Sequence, residues 1–162
     1  MTEKSLSFSA PDSGRLLVRT IVEDDIELLR TWKNAYRDRF FFNDNITPDM
    51  QEKWFRSYLQ TAHDFMFVVI RDGERVGCLG FRLRGDRVDF YNIILGDARS
   101  ARKGCMSLAL DRVCAHVRQH YPGAPIMVSV LRSNPDLDWY FRRGFTLSAE
   151  HETFVELTRN SQ

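Results

Sequence analysis

Residues 65–95 constrain the fold more than any other part of the chain. Three runs, Phe65 to Arg71, Arg75 to Arg84 and Arg87 to Leu95, stand almost back to back, separated by Asp72-Gly73 and Gly85-Asp86. These dipeptides suit two-residue hairpin turns, whose central residues take positive φ at little cost to Gly, Asn or Asp. The first run is continuously apolar up to Ile70, and the second alternates imperfectly. Strands joined in this way make an antiparallel meander, and the rest of the chain has to be arranged around that sheet.

Segments with helical patterning lie on either side of the meander. Glu23, Asp24 and Asp25 suit a helix start, where the dipole favours acids, and Ile26, Leu28, Leu29, Trp32 and Tyr36 follow at a mostly helical period. After a loop from Phe40 to Ile46, Thr47-Pro48-Asp49 puts proline in the first turn of a second helix. Its apolar face is Met50, Trp54, Tyr58 and Leu59. A third helix runs from about Gly104 to His120, with Met106, Leu110, Val113, Cys114 and Val117 on one face, and ends before Pro122-Gly123. Strands are expected at Arg15 to Arg19, Ile126 to Leu131, Phe145 to Ser148 and Thr153 to Leu157, with a short helix from Asn134 to Arg143 stopped by Gly144. The order β-α-α-β-β-β-α-β-α-β-β predicts an α/β (α+β) fold, a mixed sheet with helices on both faces. Residues 1–14, Ser-rich with Pro11 and Gly14, read as a mobile tail or one docked in part; residues 15–162 read as a single domain.

Charge excludes one class of partner. The chain has 23 Lys and Arg against 22 Asp and Glu, a formal net charge of +1, which argues against nucleic-acid binding by phosphate neutralisation. A local basic pocket for a small anion is still allowed. Cys78, Cys105 and Cys114 are odd in number and lack zinc-ligand spacing, so reduced thiols in a cytoplasmic protein are the expectation. The longest purely apolar run, Phe65 to Ile70, is far too short to cross a membrane, and Met1 to Gly14 lacks a secretory apolar core.

The segment that most invites chemistry is Asn92-Ile93-Ile94-Leu95, then Ala98 to Ser107, then helix. A strand end, a loop and a helix N-terminus form an anion site, because the first helical N–H groups have no internal partner and the dipole adds positive charge. Arg99, Arg102 and Lys103 add cations, and Gly104 allows close approach to the backbone. A diphosphate is a natural guest; the alternative is a solvated basic loop ahead of an ordinary helix. Neither GxxxxGK[ST] nor GxGxxG is present, so this is not a P-loop or a dinucleotide fingerprint.

Here the chain resembles the GCN5-related N-acetyltransferase (GNAT) superfamily, in which a strand, a Q/R-x-x-G-x-G/A loop and a helix bind a diphosphate. The loop reads Ala101-Arg102-Lys103-Gly104-Cys105-Met106: Gly104 matches, Ala101 stands where Gln or Arg is usual, and Met106 where a small residue is usual. Downstream, Ser133 to Phe145 resembles the family's N-x-x-A-x-x-x-Y-x-x-x-G-F, matching at Tyr140, Gly144 and Phe145, with Asn134 displaced by one position. Trp32-Lys33-Asn34, Phe42-Asn43, Ile46-Thr47 and Lys53-Trp54-Phe55 are similar to acetyltransferases acting on amino-sugar nucleotides.

The resemblance implies a mostly antiparallel, splayed central sheet and an N-acetyltransferase using acetyl-CoA as cosubstrate, with no metal. It implies that Arg99 and the Arg102–Ser107 stretch (Arg102, Lys103, Gly104, Cys105, Met106, Ser107) anchor the diphosphate, that Ile93, Ile94 and Leu95 hold the pantetheine arm, and that Asn134 assists. Charge growing on the thioester oxygen calls for a backbone N–H donor. The departing thiolate needs a proton; a thiol titrates near ~8.5 and a phenol near ~10, so a tyrosine can supply it. Tyr140 is the candidate, against the alternative of a core aromatic. Asp89, on one face of the third meander strand with Tyr91, is the candidate for the amine proton, or else a solvating edge charge. The acceptor is a small primary amine, first an amino-sugar nucleotide; a protein or peptide amine, or a non-catalytic CoA-binding module, are the alternatives. By analogy a homodimer is expected. His116 and His120, four apart on a helix, could share a metal but have no third ligand; Cys105 has no histidine placed to activate it; Phe40-Phe41-Phe42 reads as core plus acceptor-cleft lining.

Overall fold

The fold was analysed in a computed structural model of the chain, which describes residues 4–10, 15–100 and 104–159. Its centre is the meander: β3 (Asp64–Arg71), β4 (Glu74–Arg84) and β5 (Arg87–Leu95). The first turn has φ of 52° at Asp72 and 80° at Gly73, a type I′ hairpin; in the second, Gly85 has φ of 62°. Outside the meander lie β1 (Ser7–Ala10), β2 (Leu16–Thr20), β6 (Ile126–Leu131), β7 (Phe145–Glu150) and β8 (Phe154–Arg159). One sheet joins all eight in the order β1-β2-β3-β4-β5-β6-β8-β7. Among the described residues only the β5–β6 pairing is parallel.

Both faces of the sheet are covered, which explains the unbroken apolar run in β3. On one face, α3 (Cys105–His120) packs Ala109, Leu110, Val113 and Val117 against Phe67, Leu79, Phe81 and Val88. On the other, α1 (Ile26–Ala35) and α2 (Pro48–Gln60) bring Leu29, Trp32, Phe55 and Tyr58 against Met66, Val68, Cys78 and Ile94. Thr47 caps α2, its side chain accepting from Met50 N, with Pro48 at the first position. The short α4 (Leu137–Arg142) closes against the α3 face through Tyr140, whose ring meets Phe145 edge-on.

Two expectations change. The segment read as a tail contributes β1, paired antiparallel with β2, and Phe8 packs on Phe67 and His116. The helix expected from Asn134 begins at Leu137, because Asn134 Oδ1 accepts from Asp136 N and Pro135 has no N–H to donate, so residues 134–136 form a turn. Of the three acids expected to start α1, Asp25 does more. It is fully buried, bridging Arg19 at 2.7 Å and Arg75 at 3.0 Å and accepting from Val22 N at 2.8 Å, which ties the entry of α1 to β2 and β4.

Candidate active site

The site arises where β5 and β6 part. They pair only at Val88, Asp89 and Phe90. Beyond Phe90, β5 stays with β4, and β6 stays with β8. A bulge drives the separation: Cys78 pairs with Ile94 but Gly80 with Tyr91, so Leu79 faces two residues, Asn92 and Ile93. Asn92 has φ of 50°, a conformation that Asn tolerates better than most residues. A bulge bends and twists its strand, here away from the neighbour. The β6-facing edge of Tyr91 to Leu95 is thereby left without a strand partner among the described residues.

Two clefts, of about 600 and 560 Å³, open on opposite sides of this gap and share Arg39, Phe40, Ile93, Asn134 and Tyr140. The first runs from the gap to the N-terminus of α3. Ile93, Ile94, Leu95, Gly104, Cys105, Met106 and Ser107 line it, with Arg142 and Arg143 on the α4 side. Gly104 is the N-cap, at φ of 74°, and offers no side chain to the first-turn N–H groups; the space beside its Cα is open. An uncapped first turn of a four-turn helix facing a cleft is a preorganised anion cradle. Met106 does not obstruct it. Its sulfur lies 2.6 Å from where a Cβ on Gly77 would be, so the bare backbone of β4 receives the side chain, which is buried.

Tyr140 stands at the junction of the clefts and is 7% exposed. Its hydroxyl has no hydrogen-bond partner among the described residues. Burial raises its pKa, and the negative charge of Asp136 raises it further, so the phenol is protonated at neutral pH and is a weaker acid than a free phenol. Arg39 pairs with Asp136 at 2.7 Å, tying the 37–42 loop to the α4 turn beside the gap.

The second cleft is basic. Lys33, Arg82, Arg84 and Arg87 line it together with Arg39, against Asp89 and Glu156. Lys33 Nζ donates to Asn92 Oδ1 at 2.7 Å and lies 4.8 Å from the Phe40 ring centre. Burial lowers its pKa to about 8, opposed by Cys78 and reinforced by Arg82. Phe41 and Phe42 line this cleft at 55% and 46% exposed.

The other expected residues divide. Asn134 lines both clefts, although its Oδ1 is committed to the turn. Arg99 stands apart: its side chain, 80% exposed and outside the cleft lining, pairs with Asp97 at 3.0 Å and Glu74 at 3.4 Å. Arg102 and Lys103 lie outside the described residues. Asp89 is buried in the acceptor-side cleft, but Arg84 holds one oxygen at 3.7 Å and Arg87 the other at 3.8 Å. That suits an anchor for the basic wall better than a proton acceptor. Its expected companion Tyr91 donates to Asp64 instead, and burial raises its pKa, with Asp64 adding to the effect. His120 Nδ1 bonds His116 O and the two rings stack; no cluster of three or more potential metal ligands occurs among the described residues. Nor, among them, is any helix long and apolar enough to cross a membrane. The cation pair Lys33 and Arg82 was the feature sequence reasoning missed; Lys33 lay in a quoted segment, but nothing local linked it to Arg82.

Comparison with known proteins places this geometry. Among solved structures the chain is similar to an uncharacterized protein from Bacillus halodurans (TM-score 0.77, 15% identity, 96% of this chain and 89% of that one). It is also similar to RimL, a ribosomal L7/L12 alpha-N-protein acetyltransferase (0.73, 15%, 90% and 90%), and to the N-acetyltransferase PseH of Campylobacter jejuni (0.67, 16%, 91% and 99%). RimL has been solved with coenzyme A and PseH with acetyl coenzyme A. No curated protein matches the chain. The family model described as an acetyltransferase (GNAT) domain matches residues 15–138, most of the parted sheet and the α3 corner, and the chain therefore belongs to the GNAT acetyltransferases.

Proposed function

We propose that the chain transfers acetyl from acetyl-CoA to a primary amine, with an amino-sugar nucleotide as the acceptor class. The observation that carries this is Tyr140, a protonated, buried phenol at the one point where an anion-cradling cleft and a basic acceptor cleft meet. Acetyl-CoA supplies the thioester carbonyl that the amine attacks. The first-turn N–H groups of α3 bind its diphosphate, and Arg142 and Arg143 extend the positive field. The free edge of Ile93 to Leu95 offers main-chain hydrogen bonds to the amide-bearing arm, as an added strand would use them. An N–H of the same edge supports the charge that grows on the carbonyl oxygen. As the C–N bond forms and the C–S bond breaks, Tyr140 gives its proton to the departing thiolate, and the proton lost by the acylated nitrogen returns through solvent to the phenolate. Asp89 keeps Arg84 and Arg87 in position.

Similarity to RimL favours a protein α-amine as a second reading of the acceptor. A CoA release assay over amino-sugar nucleotides, free amino sugars, polyamines, amino acids and peptides separates the readings, with Tyr140→Phe beside the wild type. Turnover is expected on an amino-sugar nucleotide, and the Phe variant should lose ~100-fold in kcat while binding acetyl-CoA as before. Silence over the whole panel, with acetyl-CoA still bound, would make the chain a non-catalytic CoA-binding module.

A further inference from the structure

Among the described residues, the basic cleft holds two cations, Lys33 and Arg82, that form no salt bridge. Arg84 and Arg87 are matched by Asp89 and Glu156, and Arg39 by Asp136. Asp64 and Asp89 lie across from Arg82 on the two neighbouring strands, but Asp64 accepts from Tyr91 and Asp89 is held by Arg84 and Arg87, so neither makes a close ion pair with it. The two cations bear on neighbouring residues of the bulged strand: Arg82 lies over the Tyr91 ring at 4.5 Å, and Lys33 holds the side chain of Asn92, the next residue. They sense each other electrostatically, and Arg82 Nε is buried with no hydrogen-bond acceptor. Half-buried like charges with an unused donor between apolar walls are unfavourable unless something anionic joins them. Beside them stand Trp54 and the exposed ring of Phe42, flat apolar surfaces next to the cation pair.

From this we infer that Lys33 and Arg82 are the specificity residues of the acceptor cleft, binding a diphosphate carried by the acceptor on the far side of Tyr140 from the α3 cradle. The inference rests on the acetyl-transfer reading and deepens it, since it names the group of the acceptor that the chain recognises. A diphosphate fits because two adjacent cations match two adjacent negative groups, and the neighbouring aromatic faces give an attached nucleoside base a place to stack. A polyamine or a Lys-rich peptide meets like charge on the same wall.

The test compares Lys33→Met and Arg82→Met, which keep an apolar stem, with Lys33→Arg and Arg82→Lys, which keep the charge. A uridine-diphosphate amino sugar and the same amino sugar without the nucleotide serve as acceptors. Each Met substitution should raise KM for the nucleotide-linked acceptor by about tenfold or more. It should leave KM for the free amino sugar and the affinity for acetyl-CoA unchanged, and the charge-keeping variants should recover most of the loss. Unchanged acetyl-CoA affinity also shows that the variants fold. Equal losses on both acceptors, or none on the nucleotide-linked one, would overturn the assignment while leaving acetyl transfer intact. So would an acidic peptide acetylated with the same Arg82 dependence. If no amine is acetylated, the functional reading fails, and calorimetry with uridine diphosphate still decides the site. Binding lost in Arg82→Met supports it, and binding absent or unaltered refutes it.

Discussion

Lys33 shows how one side chain can link burial, charge and pH. Its pKa of about 8 in the folded chain lies below the 10.5 of an unburied lysine, chiefly through desolvation. The folded state therefore gives up this proton before the unfolded state does. Below about pH 8 both states hold it and the cost of the buried cation is fully present; between about 8 and 10 the unfolded state binds more protons, and stability rises with pH. Other groups titrate in this window, so the informative quantity is the difference between wild type and Lys33→Met: the wild-type urea midpoint should gain on that of the variant from pH 8 to about 9.5. Affinity for uridine diphosphate should move the other way, weakening over the same interval as the cation is lost. A constant difference between the two proteins would mean that Lys33 titrates normally. This ionisation is not legible in the chain's local pattern, because the shift comes from α1 carrying Lys33 over the β4–β5 bulge, a contact between segments far apart in the chain. Arg99 shows the reverse: within a run of basic residues that reads as one anion site, the nearby Asp97 draws one guanidinium to itself.

At the level of elements, local codes were legible and long-range ones were not. The meander was readable because Asp72-Gly73 and Gly85-Asp86 act within four residues, and the α3 start because a glycine before an apolar stripe is a local signal. β1 was not, since four residues with one aromatic carry little pattern; its place depends on pairing with β2 and on Arg112 of α3 donating to Ser9 O. The opening between β5 and β6 was expected only through family resemblance, and its cause, one extra residue at Asn92, is visible only in the register. Met106, which in sequence threatens to fill the anion corner, is accommodated by Gly77 on a different element. Gly77→Ala tests that coupling. The added Cβ would come within 2.6 Å of both Met106 Sδ and Ile94 O, so the variant should lose about 1–3 kcal/mol of stability in denaturant unfolding and bind acetyl-CoA more weakly as Met106 is pushed towards the cleft. Adding Met106→Ala should restore part of the acetyl-CoA affinity. No loss in Gly77→Ala would mean that the corner has room the structure does not show.

On the scale of the whole molecule, function follows from a sheet that is continuous at one end and divided at the other. Helices on both faces bury the continuous half, and the divided half places two clefts of opposite task around one phenol. An anion cradle at the α3 terminus and a cation pair at the bulge would draw two negatively charged substrates to opposite mouths of one passage, so that only their reactive ends meet. The net charge of +1 does not reveal the local cluster of Lys33, Arg39, Arg82, Arg84 and Arg87 in the second cleft. The most direct test of the account is the distance from the Tyr140 hydroxyl oxygen to the thioester sulfur in a crystal of the chain grown with acetyl-CoA. The account predicts hydrogen-bonding reach, roughly 3 Å or one bridging water, with the amide-bearing arm lying along Ile93 to Leu95. A thioester more than about 6 Å from that oxygen, twice the hydrogen-bonding reach, or a coenzyme bound outside the gap between β5 and β6, would contradict it.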